Sequence, residues 1–363
     1  MAVFILFVSV IGFLLGLYAF FLLRRNFTFL HVNTKSKKIF ALEIFLAAVI
    51  GIFCANTRFL LGLLLLQILF LSMIFDLVLI LPNKKVSVPK ILRSGLIPLA
   101  LVLPLNIWGY FNLNKIVRTE YNLFSPKLER DYKVVFLSDV HWGTIQKKDA
   151  FKSKIEEINA EGADFIILGG DMVDEGTSKD DMKEIFSLCK ELKSRYGTYF
   201  IYGNHDIQQY SRFKNFTIDE LNDAICSNNI KILADSIEEF ESDLILVGRK
   251  DYGFSDEAHR KTMNELLLQA EKNRFTFVAD HQPRNVEQNA AEKIDLQISG
   301  HTHAGQIFPI GRIMALTGNY VYGEYKKDDL ALIVSSGIAG WGYPVKTEKV
   351  CEYVVVNLKS KKK

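Results

Sequence analysis

The sequence predicts an α/β domain preceded by an α-helical transmembrane domain of about four spans. Two observations carry this reading. Residues 1–113 are overwhelmingly apolar, whereas residues 132–363, after a polar linker at 114–131, have the charged composition of an ordinary globular chain. In that second part, short apolar strand-like runs alternate with helical patterns, as expected when helices cover a largely parallel sheet. A third observation concerns chemistry: His, Asp and Asn gather immediately after several of those runs.

The apolar part divides at its charges. Ala2 to Leu23 carries none and ends at Arg24-Arg25. That is long enough to cross a bilayer, which takes roughly 20 residues. A cleaved leader is disfavoured, because no basic residue precedes the run and no small-residue cleavage site follows it. Further spans are expected at Ile39–Thr57, Phe59–Leu81 and Ser94–Leu113, the last interrupted by Pro98 and Pro104. Basic residues concentrate after the first span (Arg24, Arg25, Lys35, Lys37, Lys38) and after the third (Lys84, Lys85, Lys90, Arg93). Basic loops face the cytoplasm, so residue 115 onward is expected on the outer side of the membrane. A re-entrant fourth span would reverse that, and Lys115, Arg118, Lys127 and Arg130 favour the reversal. Glu43 and Asp76 fall within spans, near their cytoplasmic ends, where pairing with Arg93 or Lys84 is expected rather than an ion pathway.

The net charge of +3 is too small, and its basic residues too scattered, for a nucleic-acid binder. Four cysteines (Cys54, Cys189, Cys226, Cys351) show neither CxxC nor zinc-like spacing, so no disulfide framework is expected.

In the second part, strands are expected at 134–137, 165–168, 199–202, 230–233, 244–247, 275–279, 296–299, 330–335 and 353–358. Helices are expected at 149–160, 179–194, 217–228, 256–272 and 284–292. The chemistry sits at strand ends. Asp139 and His141 follow the first strand; being two apart, in extended chain they point the same way. Gly170-Asp171 ends the second, and Gly203-Asn204-His205-Asp206 the third. Asp280-His281 and Gly300-His301-Thr302-His303 end two later ones. Five of the seven histidines lie in these positions; His31 and His259 do not. One such histidine is unremarkable, but five placed so are not accounted for by core packing.

This ordered series (Asp139-x-His141, Gly170-Asp171-x-x-Asp174, Gly203-Asn204-His205-Asp206, His281, Gly300-His301-x-His303) resembles the calcineurin-like metallophosphoesterase superfamily. The run from Ser299 to Pro309 is similar to its bacterial membrane-associated branch. The resemblance covers about residues 132–358. It implies a four-layer α/β/β/α sandwich and a binuclear metal centre. Asp139, His141, Asp171 and His303 would hold the first ion. Asp171 would be shared, with Asn204, His281 and His301 completing the second. His205 would assist the leaving oxygen, and Asp206 is placed to orient its ring or to cap. Asn204 would also touch substrate. The branch often carries an arginine after the later Ser-Gly strand end; this chain has Lys346 instead, a point charge without the bidentate fork. Trp142, Trp341 and Tyr343 would either form an apolar rim over the site or simply pack.

The chemistry suits these ligands. Two divalent cations about 3.5–4 Å apart clamp a phosphoryl group and make a bridging hydroxide available near neutral pH. Mixed carboxylate, imidazole and amide ligands suit Mn²⁺, then Fe or Zn²⁺. The expected activity is hydrolysis of a phosphomonoester, phosphodiester or pyrophosphate, possible substrates including lipid-linked ones. The alternatives are a cytoplasm-facing lipid pyrophosphatase of lipid A type, or a non-catalytic scaffold reusing the fold.

Overall fold

The computed structural model describes residues 2–56, 59–80, 90–254, 260–268, 270 and 273–361, and its chain divides into two units, 1–110 with 342–345 and 111–341 with 346–363. Lys84, Lys85, His259 and part of the helix expected at 256–272 lie outside the described residues.

The first unit holds helices α1 (Ala2–Phe29), α2 (Lys37–Cys54), α3 (Leu60–Ile80) and most of α4 (Leu96–Leu113). Three of them are long and apolar enough to cross a membrane, by length and composition: Val10–Phe29, Leu60–Leu79 and Leu96–Leu113. Among the described residues α2, whose 18 residues include Lys37, Lys38 and Glu43, is not one of these three. The two acids find partners on α1 rather than at Arg93. Arg24 pairs with Glu43 at 3.0 Å, and Arg25 with Asp76 at 2.9 Å. Tyr18 also donates to Asp76. Both acids are thereby neutralised within the helix bundle, as apolar surroundings require.

The second unit is built on two six-stranded sheets. The first contains β1 (Ile116–Ser125), β2 (Tyr132–Leu137), β3 (Phe165–Leu168), β4 (Thr198–Phe200), β5 (Ile230–Ile232) and β12 (Cys351–Ser360), in the order β1-β12-β2-β3-β4-β5. The second contains β6 (Ser236–Phe240), β7 (Leu244–Gly248), β8 (Phe275–Ala279), β9 (Leu296–Ser299), β10 (Gly323–Lys327) and β11 (Leu330–Val334), in the order β10-β11-β9-β8-β7-β6. The segment 114–131, expected to be a linker, therefore supplies a strand. Between its two buried ends β1 alternates partly buried and exposed residues, and it pairs in parallel with β12 along its whole length.

Side chains alternate across each strand, and the three apolar clusters record the layers. Val134, Phe136, Phe165 and Ile167 of the first sheet meet Leu246, Phe277, Leu296 and Ile298 of the second. The first sheet's other face, with Val135, Ile166 and Leu168, packs against helices α5 (Lys148–Lys152), α6 (Ile155–Ala160), α7 (Lys179–Cys189) and α8 (Ile218–Cys226). The second sheet's outer face, with Val247, Val278 and Leu332, packs against α9 (Met263–Leu266) and α10 (Val286–Ala291). The order is helix, sheet, sheet, helix. Helix starts follow local chemistry. Ser178 caps α7 by accepting from Asp181, and Thr217 with Glu220 closes a capping box on α8. A short helix, α11 (Ile310–Leu316), follows β9.

Candidate metal centre

β2, β3 and β4 run parallel, as do β8 and β9. The loops at their carboxyl ends carry the polar groups, the usual place for a ligand in α/β sheets. Asp139, His141, Asp171, His301 and His303 all have left-handed backbone, with φ between 44° and 71°. Few non-glycine residues adopt it, and such strain gathers at functional sites. Neighbouring loops hold the conformation in place. Asp139 N donates to Gly170 O at 2.9 Å, and His141 N to Asp171 O at 3.0 Å. Gly170, at φ 85°, brings the β3 loop against the β4 loop: a Cβ there would stand 2.4 Å from Gly203 N.

Two groups of ligand atoms result. Those of Asp139, His141 and His303 lie within 4.8 Å of one another, as do those of Asp171, His281 and His301. Asp171 joins the groups: its Oδ2 lies 3.0 Å from His281 Nε2 and 4.0 Å from His141 Nε2. Its Oδ1 accepts from His205 N at 2.8 Å. Asn204, between Gly203 and His205, is buried, and its Oδ1 has no hydrogen-bond partner among the described residues. Buried polar atoms seldom go unpaired. Two carboxylates, imidazoles and this spare amide oxygen are the donor set a pair of hard or borderline divalent cations takes, so the residues present fit the group.

The buried groups shift one another's protonation. Burial acts to raise the Asp171 carboxyl, but His281, His205 and His141 hold it well below the ordinary carboxylate range. His281 is driven well above the usual imidazole range: burial opposes this, and Asp171 and Asp139 outweigh it. Burial brings His303 down to about 3 and, with His281 nearby, His301 down to about 4. Those two rings are neutral and have a lone pair to offer, as metal ligation requires.

The His205 ring is almost buried, its centroid 5.5 Å from that of His141 and 4.8 Å from that of Trp341. Its Nδ1 meets Glu175 Oε2 at 2.7 Å. Burial works against its charge, but Glu175 and Asp171 raise its pKa above the ordinary value. Sequence reasoning missed Glu175. Its position one residue past the Gly170-Asp171-x-x-Asp174 motif was the available signal.

The structure selects between the expected alternatives for Asp206 and Trp142 and departs from expectation at Lys346. Asp206 does not orient His205. Its fully buried carboxylate accepts from the backbone N–H of Asp171 (2.8 Å), Met172 (2.9 Å), Val173 (3.2 Å) and Gly203 (2.7 Å). It ties the β3 loop to the β4 loop. Asp206→Ala leaves four donors unpaired, each costing about 1–3 kcal/mol when buried, so the expected result is a lower melting temperature by calorimetry, with reduced metal content as a consequence. Lys346 does not face substrate. It is fully buried and its Nζ donates to the carbonyls of Ser336 and Ala339 (3.0 Å to the latter), propping the loop whose Gly337 lies against Asp139. Trp142 is buried against Phe151 and donates to Glu184, so it forms no rim; Trp341, beside His205, is partly exposed.

Comparison with known proteins places this geometry. Residues 132–305 match the family described as calcineurin-like phosphoesterase. An uncharacterized metallophosphoesterase of Helicobacter pylori is 31% identical over 230 residues, covering 62% of this chain and 60% of that protein. One from Campylobacter jejuni is 28% identical over 260 residues, covering 70% and 67%. A transmembrane protein with metallophosphoesterase domain from Bos taurus is 26% identical over 234 residues, covering 61% and 51%. The matched stretch thus spans about 60% of the first relative's own length. With the strand-end ligands in place and these relatives beside it, residues 132–305 belong to the calcineurin-like phosphoesterase superfamily.

Proposed function

We propose that the chain is a membrane-anchored, metal-dependent phosphoesterase that hydrolyses a phosphomonoester, phosphodiester or pyrophosphate. The observation that carries the reading is the position of Asp171, whose Oδ2 lies between a ring of one ligand group and a ring of the other. Asp139, His141, Asp171 and His303 would hold one ion, and Asp171, Asn204, His281 and His301 the second. When bound, the two ions, manganese in our reading, would neutralise phosphoryl oxygens and bring the deprotonation of a water towards neutral pH.

The chain's own residues do the rest. Asp206 fixes the backbone that aims Asp171. Lys346 fixes the loop behind Asp139. Glu175 occupies His205 Nδ1, leaving Nε2 as the ring atom that can serve a substrate. Glu175 and Asp171 raise the pKa of His205 and so favour the protonated ring, from which Nε2 would deliver a proton to the departing oxygen. Trp341 covers one side of that ring and limits water around it.

Purified full-length protein is expected to hydrolyse an aryl phosphodiester with Mn²⁺ and to lose the activity on chelation. A folded, metal-free protein with no hydrolysis would favour the scaffold reading instead. The apolar helices and the relatives named for transmembrane character support the anchor. The distribution of basic loops supports an extracytoplasmic domain in a bacterial inner membrane. Alkaline phosphatase fused after Lys363 is then active; an inactive fusion, with an active cytoplasmic reporter at the same point, would reverse the topology.

A further inference from the structure

An apolar surface stands beside the metal centre and takes no part in the mechanism above. It begins at Phe308 and continues along α11, where Ile310, Ile313 and Leu316 are all exposed, Leu316 at 87%. Their spacing of three places them along one side of the helix. Exposed apolar side chains are ordinarily scattered singly; here four large ones stand between residues 308 and 316. Arg312 lies among them, highly exposed, its guanidinium 5.4 Å from the Phe308 ring centre.

The opposite side of α11 is pinned to the metal-ligand loop. Gly311 is buried, and a Cβ there would stand 2.3 Å from Ala304 O, next to His303. The segment Lys346–Lys349 ties the same region to the end of α4. Thr347 N and Glu348 N donate to Gln306 O at 2.7 and 3.0 Å, and Phe308 N donates to Thr347 Oγ1 at 2.9 Å. Asn112, in the last turn of α4, donates to Lys346 O and Lys349 O at 2.9 and 2.7 Å. All these residues belong to the second unit. One short segment therefore has the apolar helix α11 on one side and the exit from an apolar, membrane-length helix on the other.

We infer that Phe308–Leu316 docks into the surface of a lipid bilayer and presents the metal centre to phosphoesters carried in that bilayer. Two features favour lipid as the occupant. The segment that holds Phe308 also holds Asn112, in the turn where the chain leaves α4, and Arg312, 3.8 Å from Glu348 Oε1 yet highly exposed, adds a positive charge beside the apolar side chains. Apolar faces of this kind enter the headgroup boundary by roughly 5–10 Å. The substrate class deepens the phosphoesterase reading and rests on it; the docking itself does not.

The test uses the full-length chain in nanodiscs of zwitterionic phospholipid with a minority of anionic phospholipid. An environment-sensitive fluorophore is attached at Leu316→Cys, with the exposed Cys226 replaced by serine. Its emission is expected to shift to the blue and to be quenched by nitroxide-labelled acyl chains. The same probe at Lys231→Cys, on the edge strand β5, should show neither. A Leu316 probe that behaves like the Lys231 control overturns the proposal. So does one that becomes shielded only as protein concentration rises in lipid-free detergent, which would assign the face to a second copy. In a second arm, Ile313→Glu with Leu316→Glu lowers hydrolysis of a bilayer-borne phosphoester by about tenfold or more. Hydrolysis of a soluble aryl phosphoester stays within about twofold of wild type. Equal losses on both substrates overturn the substrate class. If the unmodified protein hydrolyses neither substrate while the probe is quenched, the phosphoesterase reading fails and the docking stands.

Discussion

Asp171→Asn is expected to reduce hydrolysis by about three orders of magnitude or more, while the protein remains folded. The substitution keeps the side chain's size, and Asn Oδ1 can still accept from His205 N, as Asp171 does at 2.8 Å. What it removes is the negative charge 3.0 Å from His281 and 4.0 Å from His141. In a buried pocket, two divalent cations without that carboxylate between them repel each other strongly. Bound metal should therefore fall well below that of the parent protein, measured by elemental analysis. Activity and metal content fall together in this account. A variant that kept its full metal load and full rate would remove Asp171 from its shared role.

The second large effect belongs to His205. Replacing it with asparagine should lower the rate by about 10²–10⁴ for a substrate with a poor leaving group. The loss should shrink for a nitrophenyl ester, whose leaving oxygen needs no proton. That dependence separates proton delivery from a merely structural role, which would affect both esters equally. Glu175→Gln should give a smaller, parallel loss of about 10–100-fold, as expected for a group that orients the working ring. Equal losses on both esters would assign His205 to positioning alone.

The central strands were legible because burial on both faces makes them continuous apolar runs. Phe165–Leu168, Phe275–Ala279 and Leu296–Ser299 occur where such runs stand. The three strands that were missed, β1, β6 and β10, are all sheet edges. Their sequences, IVRTEYNLFS, SIEEF and GEYKK, carry the charges that keep an edge from pairing with another chain. A search for apolar runs passes over them, which is why 114–131 read as a linker.

The site divides in the same way. Metal-ligand types stood out because His, Asp and Asn at successive strand ends form a pattern that no packing rule produces. The supporting residues had no such signature. Asp206 is next to His205 in sequence, yet its carboxylate turns to backbone N–H groups of two loops. Glu175 reaches His205 across 30 positions of chain. Lys346 looks like a phosphate contact until the fold buries it beneath two carbonyls. Side-chain direction inside loops depends on tertiary packing, and no local periodicity encodes it.

The shared carboxylate is tested most directly by electron paramagnetic resonance of the Mn²⁺-loaded protein, with elemental analysis of the same sample. The account predicts two manganese ions per chain and a signal from spin-coupled Mn²⁺, lost in Asp171→Asn. One ion per chain, or two ions with the spectrum of isolated Mn²⁺, would contradict it.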